Sequence, residues 1–208
     1  MKKPWLDIAL SDYEGHMGSE AVRQLEPLRE LFGRSLELCR PKSVAILGVA
    51  GGNGLERVDR AVTRIVGIDI NPDYLETVRD RHGALPGLEL HCMDLADKTY
   101  QVAGVELVHA ALIFEHTGLV PCLENALSLV LPRGRFSAVL QLPSATETSV
   151  TPTPFVAMQS LRETFVLIEV AEFRRAMDRN GLDFIQEEQR DLPGGKAFWM
   201  GIFGRSRA

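Results

Sequence analysis

The feature that most constrains this chain is the run VAILGVAGGNG, from Val44 to Gly54, followed by GIDI, from Gly67 to Ile70. Apolar, mostly β-favouring residues lead into a glycine-rich turn, and a short helical pattern follows. A strand that ends this way delivers backbone N–H groups to a nucleotide-like ligand. The next strand, RIVGIDI, ends on Asp69, a carboxylate placed where ribose hydroxyls would lie across the neighbouring strand tip.

Composition narrows the partners. A chain of 208 residues, 45% of them hydrophobic, suits one sizeable core rather than two. Its formal charge is −5 with basic residues scattered, so no footprint for a nucleic-acid backbone is expected and a small-molecule partner is. Cys39, Cys92 and Cys122 stand far apart in apolar or helical contexts and read as reduced core thiols. Neither Cys-x-x-Cys nor His-x-x-x-His spacing occurs, so no metal is expected. Pro4, Asp7 and Asp12 interrupt the start too early for a signal peptide, and no apolar run reaches the roughly eighteen residues of a membrane span. A cytoplasmic protein, monomeric or homodimeric, is expected.

Along the chain, Ser19 reads as a helix N-cap ahead of a stripe from Val22 to Leu36, with Pro27 kinking it or starting a second helix. The stretch between Gly54 and Thr63 leaves room for about two helical turns. Asn71-Pro72 caps a helix that Gly83 stops. A strand is expected at Leu88–Leu95, with Asp94 near its tip, and the run Val105–His116 reads as a strand buried on both faces that passes into a loop and the next helix, with Pro121 in the first turn of the helix signals that follow. LPRGRFSAVLQL reads as a turn at Arg133-Gly134 into a fifth strand. Pro143 to Pro154 is Ser/Thr/Pro-rich and reads as a loop, and Phe155 to Ile168 as a helical stripe. A helix carrying Phe173 and Met177 inward ends at Asn180-Gly181, and two final strands join at Leu192–Gly195.

Alternating strands and helices imply right-handed crossovers and a doubly wound, mainly parallel sheet whose ligands sit outside the carboxyl ends of the strands. Gly52, Asp69, Asp94 and Ala110 all fall at such ends.

The glycine turn, the Asp69 strand, the LELHCMDL strand with Asp94, and the later Glu115-His116 and Pro-Arg-Gly positions resemble, in order, the motifs of the class I S-adenosylmethionine-dependent methyltransferases, over roughly Pro41 to Arg205. In that family an acidic residue usually precedes Gly-x-Gly-x-Gly; here Gly48 stands at the acidic position and Ala50 at the first glycine, while Gly52 and Gly54 match the others. A Cβ penalises the left-handed region, so Ala50 is expected at negative φ. The resemblance implies an α/β, Rossmann-like, doubly wound, mainly parallel seven-stranded sheet with an antiparallel last strand, plus an N-terminal helical cap. The cap would occupy residues 1–40 and the S-adenosylmethionine-binding domain 41–208. Gly48, Ala50, Gly52, Asn53 and Gly54 would shape the turn around the cofactor, Asp69 and Ile70 would meet the ribose, Asp94 and Leu95 the adenine, and Ala110 would lie at the adjoining strand tip.

The reaction such a chain would run is methyl transfer to O or N of a small-molecule acceptor, which asks the protein mainly to position a nucleophile and exclude water. A general base is needed when the acceptor arrives protonated. Tyr13, Glu14 and His16 in the leader could fold over the cofactor as a lid, with Tyr13 against it and His16 as a candidate base. Glu115 and His116, just past the fourth strand, are the other catalytic candidates; His109, in mid-strand, reads as a core histidine. Two alternatives stay open. Gly48, Gly51 and Gly54 also spell a nicotinamide turn of the NAD(P)-dependent short-chain reductase kind, although no tyrosine has a lysine four residues on. Gly48 and Ala50 also suit a non-catalytic S-adenosylmethionine-binding protein.

Overall fold

A computed structural model describes residues 3–97, 101–120, 122–144 and 150–205. Among these, seven strands form one sheet: β1 (Ser43–Leu47), β2 (Arg64–Asp69), β3 (Leu88–Cys92), β4 (Val105–Ala111), β5 (Val130–Gln141), β6 (Leu182–Asp191) and β7 (Ala197–Arg205). Their order is β3-β2-β1-β4-β5-β7-β6. β1 pairs parallel with both β2 and β4, β2 with β3 and β4 with β5, whereas β7 runs antiparallel between β5 and β6. The chain lays β2 and β3 on one side of β1 and then crosses to β4 on the other, which puts the switch in strand order at β1.

Central strands buried on both faces need continuous apolar sequence, which SVAIL and VELVHAA supply. Alternate residues feed opposite layers. Ala45, Leu47, Val66 and Ile68 face a core with Phe114, Phe136, Phe173 and Phe203, while Val44, Ile65 and Leu107 face Phe32, Leu75 and Val78. The flanking helices are α1 (Leu10–Gly18), α2 (Leu25–Cys39), α3 (Pro72–His82), α4 (Phe114–Thr117), α5 (Cys122–Ser128) and α6 (Val170–Arg179). α3 starts as its sequence dictates: Asn71 Oδ1 accepts from the Asp73 and Tyr74 N–H groups at 2.9 and 3.4 Å, and Pro72 takes the first helical position.

Several expectations are corrected. Ser19 closes α1 rather than opening a helix, its hydroxyl donating to the His16 carbonyl at 2.7 Å, while Pro27 lies in the first turn of a second helix, α2, one of the two expected outcomes. The two turns expected after Gly54 shrink to a 3-10 turn at Leu55–Arg57. β3 stops at Cys92, so Asp94 lies beyond its strand, whereas β4 ends at Ala111 with Glu115 past it as expected. Arg133 and Gly134 form no turn; β5 starts at Val130, and the strand absorbs the extra residues as an irregularity, Val105 pairing with Val130 and Leu107 with Arg135. The stripe after Phe155 is a 3-10 helix, Val156–Glu163, not an α-helix. Cys122 is buried as expected, but Cys92 is exposed at the end of edge strand β3. The expected place of Pro121, and residues 145–149 of the Ser/Thr/Pro loop, lie outside the described residues. No helix among the described residues is long and apolar enough to cross a membrane.

Phe173 on α6 packs edge-on or tilted against Phe114, Phe136, Trp199 and Phe203 with no exposed surface. Phe173→Ala is expected to lower the unfolding free energy by about 3–5 kcal/mol, read from urea titration, because lost transfer energy and the cavity both count.

Candidate active site

The tips of β1 and β2 are tied by one carboxylate. Asp69, 7% exposed, accepts from the Ala50 N–H through Oδ2 at 2.9 Å and from the Asn71 N–H through Oδ1 at 3.0 Å. Burial raises its pKa, against the hydrogen bonds from the Asn71, Ala50 and Ile70 backbones. Holding this geometry puts Ala50 in the left-handed region at φ 46°, correcting the expected negative φ. Gly48, Gly52 and Gly54 are also left-handed, which glycine allows freely. A Cβ at Gly48 would displace the tip of the Ile113 side chain and would sit on a left-handed backbone at φ 70°, which disfavours an acid at this place. Ala110 pairs with Leu47 at the β4 tip and is fully buried.

The leader lies across these tips. Its α1 presses on the glycine turn: Arg81 on α3 pairs with Glu14 and donates to the Gly51 carbonyl at 3.3 Å. Asn71 Nδ2 donates to the Trp5 carbonyl at 2.8 Å, and the Tyr74 hydroxyl to the Ile8 carbonyl at 2.9 Å. Lys3 Nζ stands 2.8 Å from Asp94 Oδ2, and the Ala96 N–H donates to the other oxygen at 2.8 Å. Partial burial pushes the Asp94 pKa up, but the Lys3 hydrogen bond and charge outweigh it and hold the group below its usual range. Leu95 turns into the core beside it. Asn53 is directed away from the strand tips, donating to the Leu25 carbonyl at 2.8 Å.

A row of rings runs from Tyr74 on α3 through the leader to Phe165. Tyr74 and Tyr13 lie 6.4 Å apart, Tyr13 and Trp5 5.8 Å, Trp5 and His116 4.9 Å, and His116 and Phe165 5.1 Å. Burial, then the Asp69 and Glu14 charges, push the Tyr13 phenol well above its ordinary pKa, so it stays protonated. The leader also forms a small apolar core with the segment that follows β5, where Trp5, Ile8 and Tyr13 meet Val150, Met158 and Leu161. His16 Nδ1 lies 2.8 Å from Thr153 Oγ1, and Lys196 Nζ donates to Thr151 Oγ1 at 3.0 Å. His16 thus sits at the seam between leader and insertion, its pKa lowered by burial and by the Lys196 charge.

Glu115 is 1% exposed. Its Oε1 accepts from the Gln141 N–H at the end of β5 at 2.9 Å, its carbonyl accepts from the Val166 N–H at 2.8 Å, and Oε2 has no partner. Burial raises its pKa to about 7 despite the hydrogen bonds from the Gln141 backbone and its own. His116 is half-buried with Nδ1 sealed and unpartnered, and desolvation lowers its pKa to about 4, so it is neutral at pH 7. His109 is the core histidine expected, 3.0 Å from Ser137 Oγ, with burial lowering its pKa to about 3. Lys3, Trp5, Asn71, Tyr74 and Arg81 enter the site unforeseen. Asn71 alone carried a local signal, and its cap used only the side-chain oxygen, leaving the amide for Trp5. Among the described residues no cluster of three or more His, Cys, Asp or Glu could hold a metal ion.

A family profile described as "Methyltransferase domain" matches residues 46–138, the stretch that holds the β1 turn, Asp69, Asp94 and Glu115. Over that stretch, less than half of the chain, the sequence is similar to the methyltransferase family. The match favours the methyltransferase reading of the glycine turn over the nicotinamide one. Solved structures share the whole fold. One is the N-methyltransferase NodS from Bradyrhizobium japonicum WM9 in complex with S-adenosyl-L-homocysteine, with TM-score 0.67, 14% identity and coverage of 95% of this chain and 98% of that one. Another is magnesium protoporphyrin IX methyltransferase ChlM from Synechocystis PCC 6803 with bound S-adenosylhomocysteine, with TM-score 0.70, 13% identity and 94% coverage of both. The [4+2]-cyclase SpnF has the same fold at TM-score 0.66 and 11% identity, covering 88% of this chain and 82% of that one. No curated protein sequence matches this chain.

Two outcomes follow from the local chemistry. Ala50→Gly is expected to raise the unfolding free energy by up to about 1 kcal/mol in urea titration, since it relieves a left-handed alanine costing about 1–2 kcal/mol and partly returns that in unfolded-state entropy. Glu115 binds its proton more tightly folded than unfolded, so the stability this lends in acid is lost as pH rises from 4.5 towards about 7. Between pH 4.5 and 8, wild-type stability should fall by about 2–3 kcal/mol relative to Glu115→Gln.

Proposed function

We propose that this chain is an active S-adenosylmethionine-dependent methyltransferase that transfers a methyl group to O or N of a small-molecule acceptor. The observation that carries the reading is the buried Asp69 carboxylate at the β1–β2 tips, roofed by the leader, within the segment that matches the methyltransferase domain. The residues fit such a cofactor: Asp69 presents an acceptor where ribose hydroxyls would come, and Asp94 presents one for the adenine amino group once it shares its carboxylate with Lys3. S-adenosylmethionine brings a methyl group already activated as a sulfonium, so the protein's part is placement and dryness.

The residues divide that work. Gly48, Ala50, Gly52 and Gly54 bend the backbone around the methionine side, with Asn53 pinning the turn to α2. Ile70 and Leu95 flank the two carboxylates, and Ala110 keeps the β4 tip free of a large side chain. Tyr13 covers the cofactor, while His16 latches the leader to Thr153 rather than serving as a base. Glu115 and His116 stand beyond the ring of Trp5, on the side of the switch point left for the acceptor. The protein is read as cytoplasmic, monomeric or homodimeric, with no nucleic-acid partner.

Isothermal titration with S-adenosylmethionine, S-adenosylhomocysteine and NADH tests the reading. Micromolar binding of both adenosyl ligands and none of NADH is expected, and binding of NADH alone would overturn it. Asp69→Ala should weaken S-adenosylmethionine by about tenfold or more, the worth of a hydrogen bond to a charged group, roughly 1.5–3 kcal/mol. Release of S-adenosylhomocysteine on an acceptor panel then separates an enzyme from a protein that only binds.

A further inference from the structure

Glu115 is the one buried carboxylate of the site whose hydrogen bonding is incomplete. One oxygen is held by the Gln141 N–H; the other has no partner in a side chain 1% exposed. Among the described residues Glu115 forms no ion pair, and burial and backbone hydrogen bonds, not a neighbouring charge, set its ionisation. A buried, half-satisfied carboxylate is costly unless a group that is absent here completes it, and a cation or strong donor compensates it best.

Its surroundings say what kind of group. The residue lies past β4 and is clamped to the end of β5, across the switch point from Asp69. The next residue, His116, has its neutral imidazole against the Trp5 and Phe165 rings, and aromatic faces attract a cation. The insertion whose Val166 N–H donates to the Glu115 carbonyl carries Val156, Val166 and Leu167 exposed, an apolar surface on the segment that holds Glu115.

We propose that Glu115 binds the methyl acceptor through Oε2, and that the acceptor is an amine carried on an apolar body. The inference rests on the methyltransferase reading above. An alkylammonium entering beside Glu115 pairs with its carboxylate and places its carbon skeleton against Trp5 and Phe165. Before it can act as a nucleophile it must lose a proton, and that proton passes from the ammonium nitrogen to Oε2, giving a neutral amine and a carboxylic acid. The nitrogen lone pair would then attack the sulfonium methyl carbon, the new N–C bond forming as the S–C bond breaks, with that electron pair left on the sulfur of departing S-adenosylhomocysteine and the positive charge restored on nitrogen. The proton on Glu115 returns to water as the product leaves and the roof opens. Burial leaves this carboxyl near neutral in pKa, which suits a group that must both hold the cation and accept its proton.

The test compares two probes of equal shape, 2-phenylethylammonium and 2-phenylethanol, titrated into the full chain saturated with S-adenosylhomocysteine at pH 7.5. The ammonium is expected to bind about tenfold or more tightly than the alcohol, the margin of a charge-assisted hydrogen bond, and Glu115→Gln should reduce the two to near equality. Equal affinities for the wild-type protein would overturn the proposal even if the variant did not fold. So would an ammonium preference that survives in Glu115→Gln, or binding of neither probe by a protein that binds S-adenosylhomocysteine. Failure of S-adenosylhomocysteine itself to bind would count against the methyltransferase reading, and its separate titration keeps the two failures apart.

Discussion

The geometry of the whole site hangs on the Asp69 carboxylate. By accepting from Ala50 on one side and from Asn71 on the other, it fixes the turn after β1 against the turn that starts α3. Asn71, so placed, caps α3 with its oxygen and holds the Trp5 carbonyl with its amide. The leader is thereby set at the height where Tyr13 covers the strand tips and Trp5 reaches His116. A left-handed alanine persists at the turn because the surrounding hydrogen bonds over-determine it.

The roof follows from that anchoring together with the insertion after β5. Neither the leader nor the Val156–Glu163 helix has enough apolar surface to bury itself alone; joined through Ile8, Val150, Met158 and Leu161 they make a small separate core above the sheet. Charged and polar clasps at the rim, Lys3 to Asp94, Glu14 to Arg81 and His16 to Thr153, set its position. Contacts of this exposed or half-exposed kind contribute little stability each, so the roof is held more weakly than the sheet beneath it.

Much of this was legible in the sequence because sheet and turn signals are local. The apolar runs of β1 and β4, the glycine turn, Asp69 at its strand end and the Asn71-Pro72 helix start are written in adjacent residues. What escaped depends on contacts between distant segments. Ser19 carries the same hydroxyl whether it begins a helix or ends one, and only the partner of that hydroxyl, the His16 carbonyl, decides. Phe155 to Ile168 has a helical stripe, yet packing on the leader draws it into 3-10 geometry. Lys3 and Arg81 have no motif at all; each is defined by a carboxylate far away in the chain. In the candidate site, Glu115 was visible by position, whereas its unpartnered oxygen is a property of the folded interior alone.

The roof also has a history in time. Its two halves come from opposite parts of the chain, and His16 and Thr153 are 137 residues apart. A polypeptide emerging from its N-terminus can pair β1, β2, β3 and β4 and form the Asp69 junction before the insertion exists. Until the later segment arrives, the leader's Trp5, Ile8 and Tyr13 have nothing to close against, and closure of so long a loop is entropically slow. During synthesis the paired strand tips and the Asp69 junction therefore precede the roof that comes to lie over them.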